Sequence, residues 1–344
     1  MKAIAIPPSA VPATQKPRLL DIDRAKGLAI VLVVFGHLVP HGTLPAGQEW
    51  YDVLWYAVYR FHMPFFMYLS GFVFFFSGSH RALEGAYSAF LKRRAWRLLV
   101  PFFCFAAIIV GGKLVAAQFM EVANRPDGLA DGIYHVFFET ESSAARSIWY
   151  VFVLFVYVAA TPILWLFLRG NMALLLGTSF LAYLLPLPDQ LYLDRIGRYF
   201  VFFVVGGLVA QHRDAVMLQF MRLFPVALLV FGVSFLLARR DVPPALSMFV
   251  IGMLSIPVLH QIVRLPALQT ESVLLFLGQY AFVIYLLNTI CIGVAKGLFV
   301  KVLPFSGGYF LLALAVLFAA GLAGPILFKR YVLRWWPAAD RLTS

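Results

Sequence analysis

Charged residues are scarce in this chain. Only 13% of its 344 residues are Asp, Glu, Lys or Arg, about half the share found in soluble domains. That excludes a water-covered globule, and the 62% hydrophobic content shows what replaces the missing charge. Carboxylates are the scarcer sign: 16 against 28 bases give a net charge of +12. The bases cluster in short connections between apolar runs. The excess therefore reads as orientation by positive charge on the cytoplasmic side, and no nucleic-acid partner is expected. Cysteine is almost absent. Cys104 and Cys291 both sit inside apolar runs, without disulfide or metal-ligand spacing, and read as small core residues. No internal repeat and no low-complexity linker is found. The segment through Gln15 is rich in Pro and Ala and has no signal-peptide core, so residues 1–17 read as a loose cytoplasmic tail.

What the chain has instead is a series of apolar stretches near 20 residues long. A helix satisfies its own backbone polar groups in lipid, so the expected class is all-α, a polytopic membrane protein in a lipid bilayer. Ten transmembrane helices are expected, near 27–42, 52–76, 98–118, 148–168, 172–187, 198–211, 218–238, 245–263, 273–294 and 308–328. The Lys and Arg bias puts both termini in the cytoplasm. Residues 18–330 form the membrane domain and 331–344 a cytoplasmic tail. The connection 119–147 is the longest outward one and is acidic. It reads either as a cover over an outward-facing cavity or as a solvated surface loop.

The first stretch organises the rest. It opens charged at Asp21, Asp23, Arg24 and Lys26, turns apolar, and carries His37 inside the apolar run. Lys26 and His37 are 11 residues apart, roughly 16 Å and about three turns of helix. Both therefore share a face, with Asp23 near the same stripe. A titratable group at mid-depth in a membrane is a functional candidate, because burying it unpartnered is expensive. His62, in the second span, is expected at matching depth, with Pro64 bending the helix beside it. It reads as a cavity residue or as a neutral imidazole bonded to a carbonyl. Arg60 either snorkels to the outer headgroups or lines the same cavity.

The connection before the third span holds Arg93, Arg94 and Arg97 within about one turn, Arg93 and Arg97 being i,i+4 neighbours. They are a topology signal with lipid contact, or a clamp for a phosphorylated ligand. Trp149 and Tyr150 open the fourth span as an aromatic belt or as a sugar-stacking platform. Tyr285 and Asn288 are polar groups inside the ninth span, suited to an interhelical hydrogen bond.

Taken together, these residues resemble the acyltransferase-3 family of integral-membrane acyltransferases. Asp23, Lys26, Gly27 and His37 match the family's Asp-x-x-Arg-Gly…His motif, with Lys26 where Arg is commoner. His62-Met-Pro-Phe-Phe followed by Ser70-Gly71-Phe72 is similar to the second-span signature. Arg93-Arg94…Arg97…Pro101 and Trp149-Tyr150…Thr161-Pro162 resemble those of the third and fourth spans. Gly206, Gly278 and Ile284-Tyr285-Leu286-Leu287 resemble later ones. Asn288 departs from the pattern, standing where many relatives place a histidine.

The resemblance implies a stand-alone enzyme of the bacterial cytoplasmic (inner) membrane, without a fused hydrolase-like domain. Its implied reaction moves an acetyl or other short acyl group from cytosolic acyl-CoA to a hydroxyl of an envelope or exported glycan. Acetyl-CoA is then a co-substrate and no cofactor or metal is bound. His37 is the candidate base or acyl carrier, with Lys26 and Asp23 at the inner entrance and Arg93, Arg94 and Arg97 on the coenzyme phosphates. His62, Arg60, Trp149, Tyr150, Tyr285 and Asn288 are candidates for the acceptor side. A neutral imidazole suits this chemistry near pH 7, since a sugar hydroxyl needs a base when it attacks a thioester. The rival reading is a proton-coupled transporter or polysaccharide exporter with His37 and His62 as a relay.

Overall fold

A computed structural model describes residues 19–39, 44–119, 122–238, 241–270 and 272–343; the expected tail 1–17 lies outside them. Every regular element among the described residues is helical. In chain order they are α1 (Leu20–His37), α2 (Glu49–Tyr59), α3 (His62–Phe76), α4 (Tyr87–Ala116), α5 (Leu129–Phe137), α6 (Trp149–Phe167), α7 (Met172–Leu184) and α8 (Leu193–Gln211). There follow α9 (Arg213–Ser234), α10 (Pro244–Ile262), α11 (Pro266–Gln269), α12 (Val273–Gln279), α13 (Ala281–Val302), α14 (Tyr309–Tyr331) and α15 (Pro337–Leu342). Among the described residues six helices are long and apolar enough to cross a bilayer: α4, α6, α9, α10, α13 and α14. The protein is a multi-pass membrane protein.

Four expected spans differ from what forms. The first helix starts at Leu20 and stops at His37, short of the expected residue 42. Val39 precedes Pro40 in the sequence, and a residue before proline is driven out of the α region. The last carbonyls of α1 find other donors: Tyr51 Oη donates to Phe35 O at 3.1 Å, and Trp55 Nε1 and Tyr59 Oη donate to Gly36 O at 2.9 and 3.1 Å. His37 thus ends a helix instead of sitting in the middle of one.

The expected second span is broken into α2 and α3 at Arg60–Phe61. Phe61 is out of helical geometry, with φ −133° and ψ −21°. Pro64 lies four residues after Arg60; it cannot donate to the Arg60 carbonyl and its ring clashes there. The ninth span is likewise divided, with a break at Tyr280 between α12 and α13. The third is longer than expected. Its helix α4 begins at Tyr87 and runs 30 residues, about 45 Å, so the Lys92–Arg97 cluster is helical and extends beyond an apolar layer of about 30 Å.

Two close helix crossings fix the frame around the site. Helix α3 lies along α8, with the backbone of Phe203 against Gly71 and that of Tyr68 against Gly206. Helix α1 crosses α12 in the same way, Gly27 against the Leu274 carbonyl and Gly278 against the Asp23 carbonyl. Only glycine permits backbones this near, the usual device of membrane helix contacts. Phe65, Phe72, Phe102, Phe202 and Phe203 fill the space between helices and are fully buried. The connection 119–147 carries the short helix α5, whose Phe137 ring stands 6.1 Å from that of Phe102 on α4.

Candidate active site

A cavity of about 470 Å³ opens between α1, α3, α4, α6 and the α12–α13 junction. Its charged end is lined by Asp23, Lys26, Arg94 and Arg97, and its deep end by Phe66, Ser70, Tyr150 and Tyr285. Lys26 Nζ pairs with Asp23 Oδ1 at 3.3 Å, one helical turn away. Arg94 donates to Ser79 Oγ at 3.3 Å. Arg94 and Arg97 are i,i+3 and share a face of α4. Arg93 is exposed and is not part of the lining, although sequence spacing paired it with Arg97. The mouth therefore carries three cations against one lining carboxylate, a field suited to a polyanion.

The deep wall is a hydrogen-bonded set. Ser70 Oγ donates to Phe66 O at 2.9 Å and so accepts from Tyr150 Oη at 2.6 Å. Tyr285 Oη donates to Ser147 O at 2.7 Å and accepts the Tyr150 N–H at 3.2 Å. Trp149 does not line the cavity; its ring lies 4.8 Å from Tyr199 with the Arg195 guanidinium above it at 5.4 Å.

Asn288 stands one turn of α13 beyond Tyr285 and meets His37 at the end of α1; neither lines the cavity. His37 Nδ1 lies 2.7 Å from Asn288 Oδ1. The orientation of the amide follows from its other contacts: Nδ2 donates to Ile284 O and Tyr285 O, each at 2.8 Å. Oδ1 is then the atom facing the imidazole, and it can only accept. Nδ1 must carry the proton, which leaves Nε2 of a neutral ring with its lone pair. Asn288 is fully buried while His37 is half-buried. Asn288 thus sets the tautomer of the histidine.

The remaining predicted residues lie to the side. His62 begins α3, buried, and donates from Nδ1 to Val58 O at 2.9 Å, with its ring 4.7 Å from that of Tyr59. Tyr59 in turn touches Gly36, the residue before His37. Arg60 lies over the Tyr56 ring at 3.9 Å, and its Nε has no acceptor among the described residues. Neither lines the cavity. Sequence reasoning did not single out Ser70 as a wall residue, nor Trp55 and Tyr59, whose rings stack at 3.8 Å while holding the end of α1. Their i,i+4 spacing on one helix was the available signal.

Comparison with known proteins bears on this arrangement. Residues 19–329 match the acyltransferase domain family. Among individual proteins, a nodulation protein NolL from Mesorhizobium japonicum is 25% identical over 203 residues, covering 58% of this chain and 50% of its own length. A nodulation protein NolL from Sinorhizobium fredii is 32% identical over 131 residues, covering 37% of this chain and 34% of its own. The chain thus spans at most about half the length of these relatives. The family match takes in α1 with its Lys26–His37 pair, the arginines of α4, and Asn288 on α13, and the chain belongs to the acyltransferase family.

Proposed function

We propose that the protein is a membrane O-acyltransferase. It moves an acetyl or other short acyl group from cytosolic acyl-CoA to a hydroxyl of an envelope or exported glycan. The observation that carries this reading is the His37–Asn288 bond, because it sets which nitrogen of the ring is free to take a proton. Lys26, Arg94 and Arg97 receive the phosphates of the coenzyme at the charged mouth. Its long thin arm runs along Phe66 and Leu154 toward Tyr285, three residues before Asn288, the partner of His37.

The acceptor approaches from the other side. As its hydroxyl oxygen attacks the thioester carbonyl, Nε2 of His37 takes the hydroxyl proton. The imidazolium so formed is stabilised through Nδ1–H by Asn288. The C–S bond then breaks, and the proton passes from Nε2 to the leaving sulfur, giving an ester, free coenzyme A thiol and neutral His37. Burial of the pair keeps water from competing for the acyl group.

The test is a proteoliposome assay with labelled acetyl-CoA. Release of free thiol and transfer of label should require the glycan acceptor. Proton-coupled movement of the glycan with no consumption of acetyl-CoA would replace this reading with the transporter.

A further inference from the structure

We propose a second anion site at the charged end of the protein, distinct from the cavity above, that takes a phosphate-type oxyanion. A recess of about 380 Å³ lies between the start of α1, the start of α9 and the turn after α10, lined by Asp21, Arg24, Arg213, Arg264 and Gln269 among others. Three guanidiniums meet there with a single carboxylate. Asp21 is already engaged: its Oδ2 accepts from Arg264 at 2.7 Å and from Arg213 at 3.2 Å. Its Oδ1 accepts the Ile22 N–H at 3.0 Å, and His260 beside it is fully buried, with Nε2 at 3.7 Å and Nδ1 bonded to Tyr68 Oη at 2.6 Å.

Arg24 is only 7% exposed. One of its nitrogens donates to the backbone carbonyl of Gln269. The Nε atoms of both Arg24 and Arg213 are buried without an acceptor among the described residues. A buried guanidinium N–H left without an acceptor is costly, and the excess of two positive charges adds to the cost. An oxyanion with several acceptor oxygens relieves both. Phosphate fits the forked donors of converging arginines, and unlike a lone carboxylate it presents enough oxygens for three of them.

Among the described residues no second carboxylate lines the recess; Glu271, two residues after Gln269, lies outside them. Residues 1–18 contain Lys2, Lys16 and Arg18 and no carboxylate. Nor is the recess part of the proposed donor cavity. Asp21 and Arg24 are i,i+3 on one face of α1, while Asp23 and Lys26 lie roughly on the opposite face. The ligand chemistry has two sources: the headgroup of an anionic phospholipid, favoured by the position at the end of apolar helices, or free phosphate.

The experiment uses the full chain in neutral detergent. Its unfolding midpoint is measured against sodium phosphate with an ionic-strength control of sodium chloride. A parallel series adds phosphatidylglycerol, with phosphatidylcholine as control. A saturable rise is expected with one of the two probes; phosphate alone assigns a soluble ligand and phosphatidylglycerol alone a lipid headgroup. Arg24→Gln should weaken half-saturation by about tenfold or more, the loss of a charge-assisted contact. If Arg24→Gln does not fold, Arg24→Lys serves, and native mass spectrometry of the unaltered protein counts retained phosphatidylglycerol. No rise beyond the controls, or a rise that the Arg24 variant leaves unchanged, overturns the proposal. A rise with coenzyme A that neither probe reproduces and Arg24→Gln removes would give these arginines to the donor and overturn it equally.

Discussion

Asn288 Oδ1 accepts from Nδ1 of His37 at 2.7 Å, and the amide that makes this bond is itself pinned by two backbone carbonyls of its own helix. One buried amide therefore fixes both the tilt of the imidazole and the position of its proton. Asn288→Ala removes that control and leaves the ring free to take the other tautomer. Turnover should fall by roughly tenfold or more while the donor KM stays near its starting value. Steady-state kinetics on equal amounts of folded protein check this; an unchanged kcat would show that the bond does not serve the reaction.

The three arginines of α4 should not behave alike. Arg94 and Arg97 line the mouth of the cavity and Arg93 does not. Arg94→Ala and Arg97→Ala should each raise the acyl-CoA KM by about tenfold, the worth of a charged hydrogen bond to phosphate. Arg93→Ala should leave it near its starting value. Equal effects at all three positions would mean that net charge, and not the cavity, attracts the donor.

The crossing of α1 and α12 leaves no room for a side chain at residue 27. A methyl group there would overlap the carbonyl of Leu274, which no rotamer change relieves. Gly27→Ala should destabilise the protein by about 1–3 kcal/mol, the usual range for overpacking, and should lower its unfolding midpoint in detergent. Gly112, with nothing within 4 Å of its added carbon, is the control; equal losses at both sites would contradict the packing described.

Among the described residues Asp21 is the only carboxylate lining the recess where the fold brings three arginines together. Asp21→Asn leaves Arg213 and Arg264 without their shared acceptor charge. Removing one partner of a largely buried pair costs on the order of 3–5 kcal/mol. The unfolding midpoint in phosphate-free buffer should drop accordingly. A midpoint equal to that of the unaltered protein would mean that Asp21 adds nothing to the junction of α1, α9 and α10.

Local spacing made part of this legible and long-range contact hid the rest. The 11-residue interval from Lys26 to His37, the cluster Arg93, Arg94 and Arg97 and the kink owed to Pro64 all lie within one or two helices, where periodicity speaks, although spacing paired Arg93 with Arg97 and the cavity takes Arg94 instead. The Asp21 cluster joins residues 192 and 243 positions apart, which no local pattern reports. Asn288 illustrates the same limit: alone it is a polar residue in an apolar helix, and its meaning comes only from the ring it faces. The end of α1 at His37 depended on three aromatic side chains of α2, donors that hydropathy scores as core.

His37→Gln tests the central claim most directly. In proteoliposomes holding equal amounts of folded protein, acyl transfer from labelled acetyl-CoA to the glycan should fall by about 10²–10⁴-fold, the contribution of a positioned general base. Coenzyme A binding should persist, because Lys26, Arg94 and Arg97 are untouched. Transfer at the rate of the unaltered protein would contradict a role for Nε2 of His37 in moving the proton.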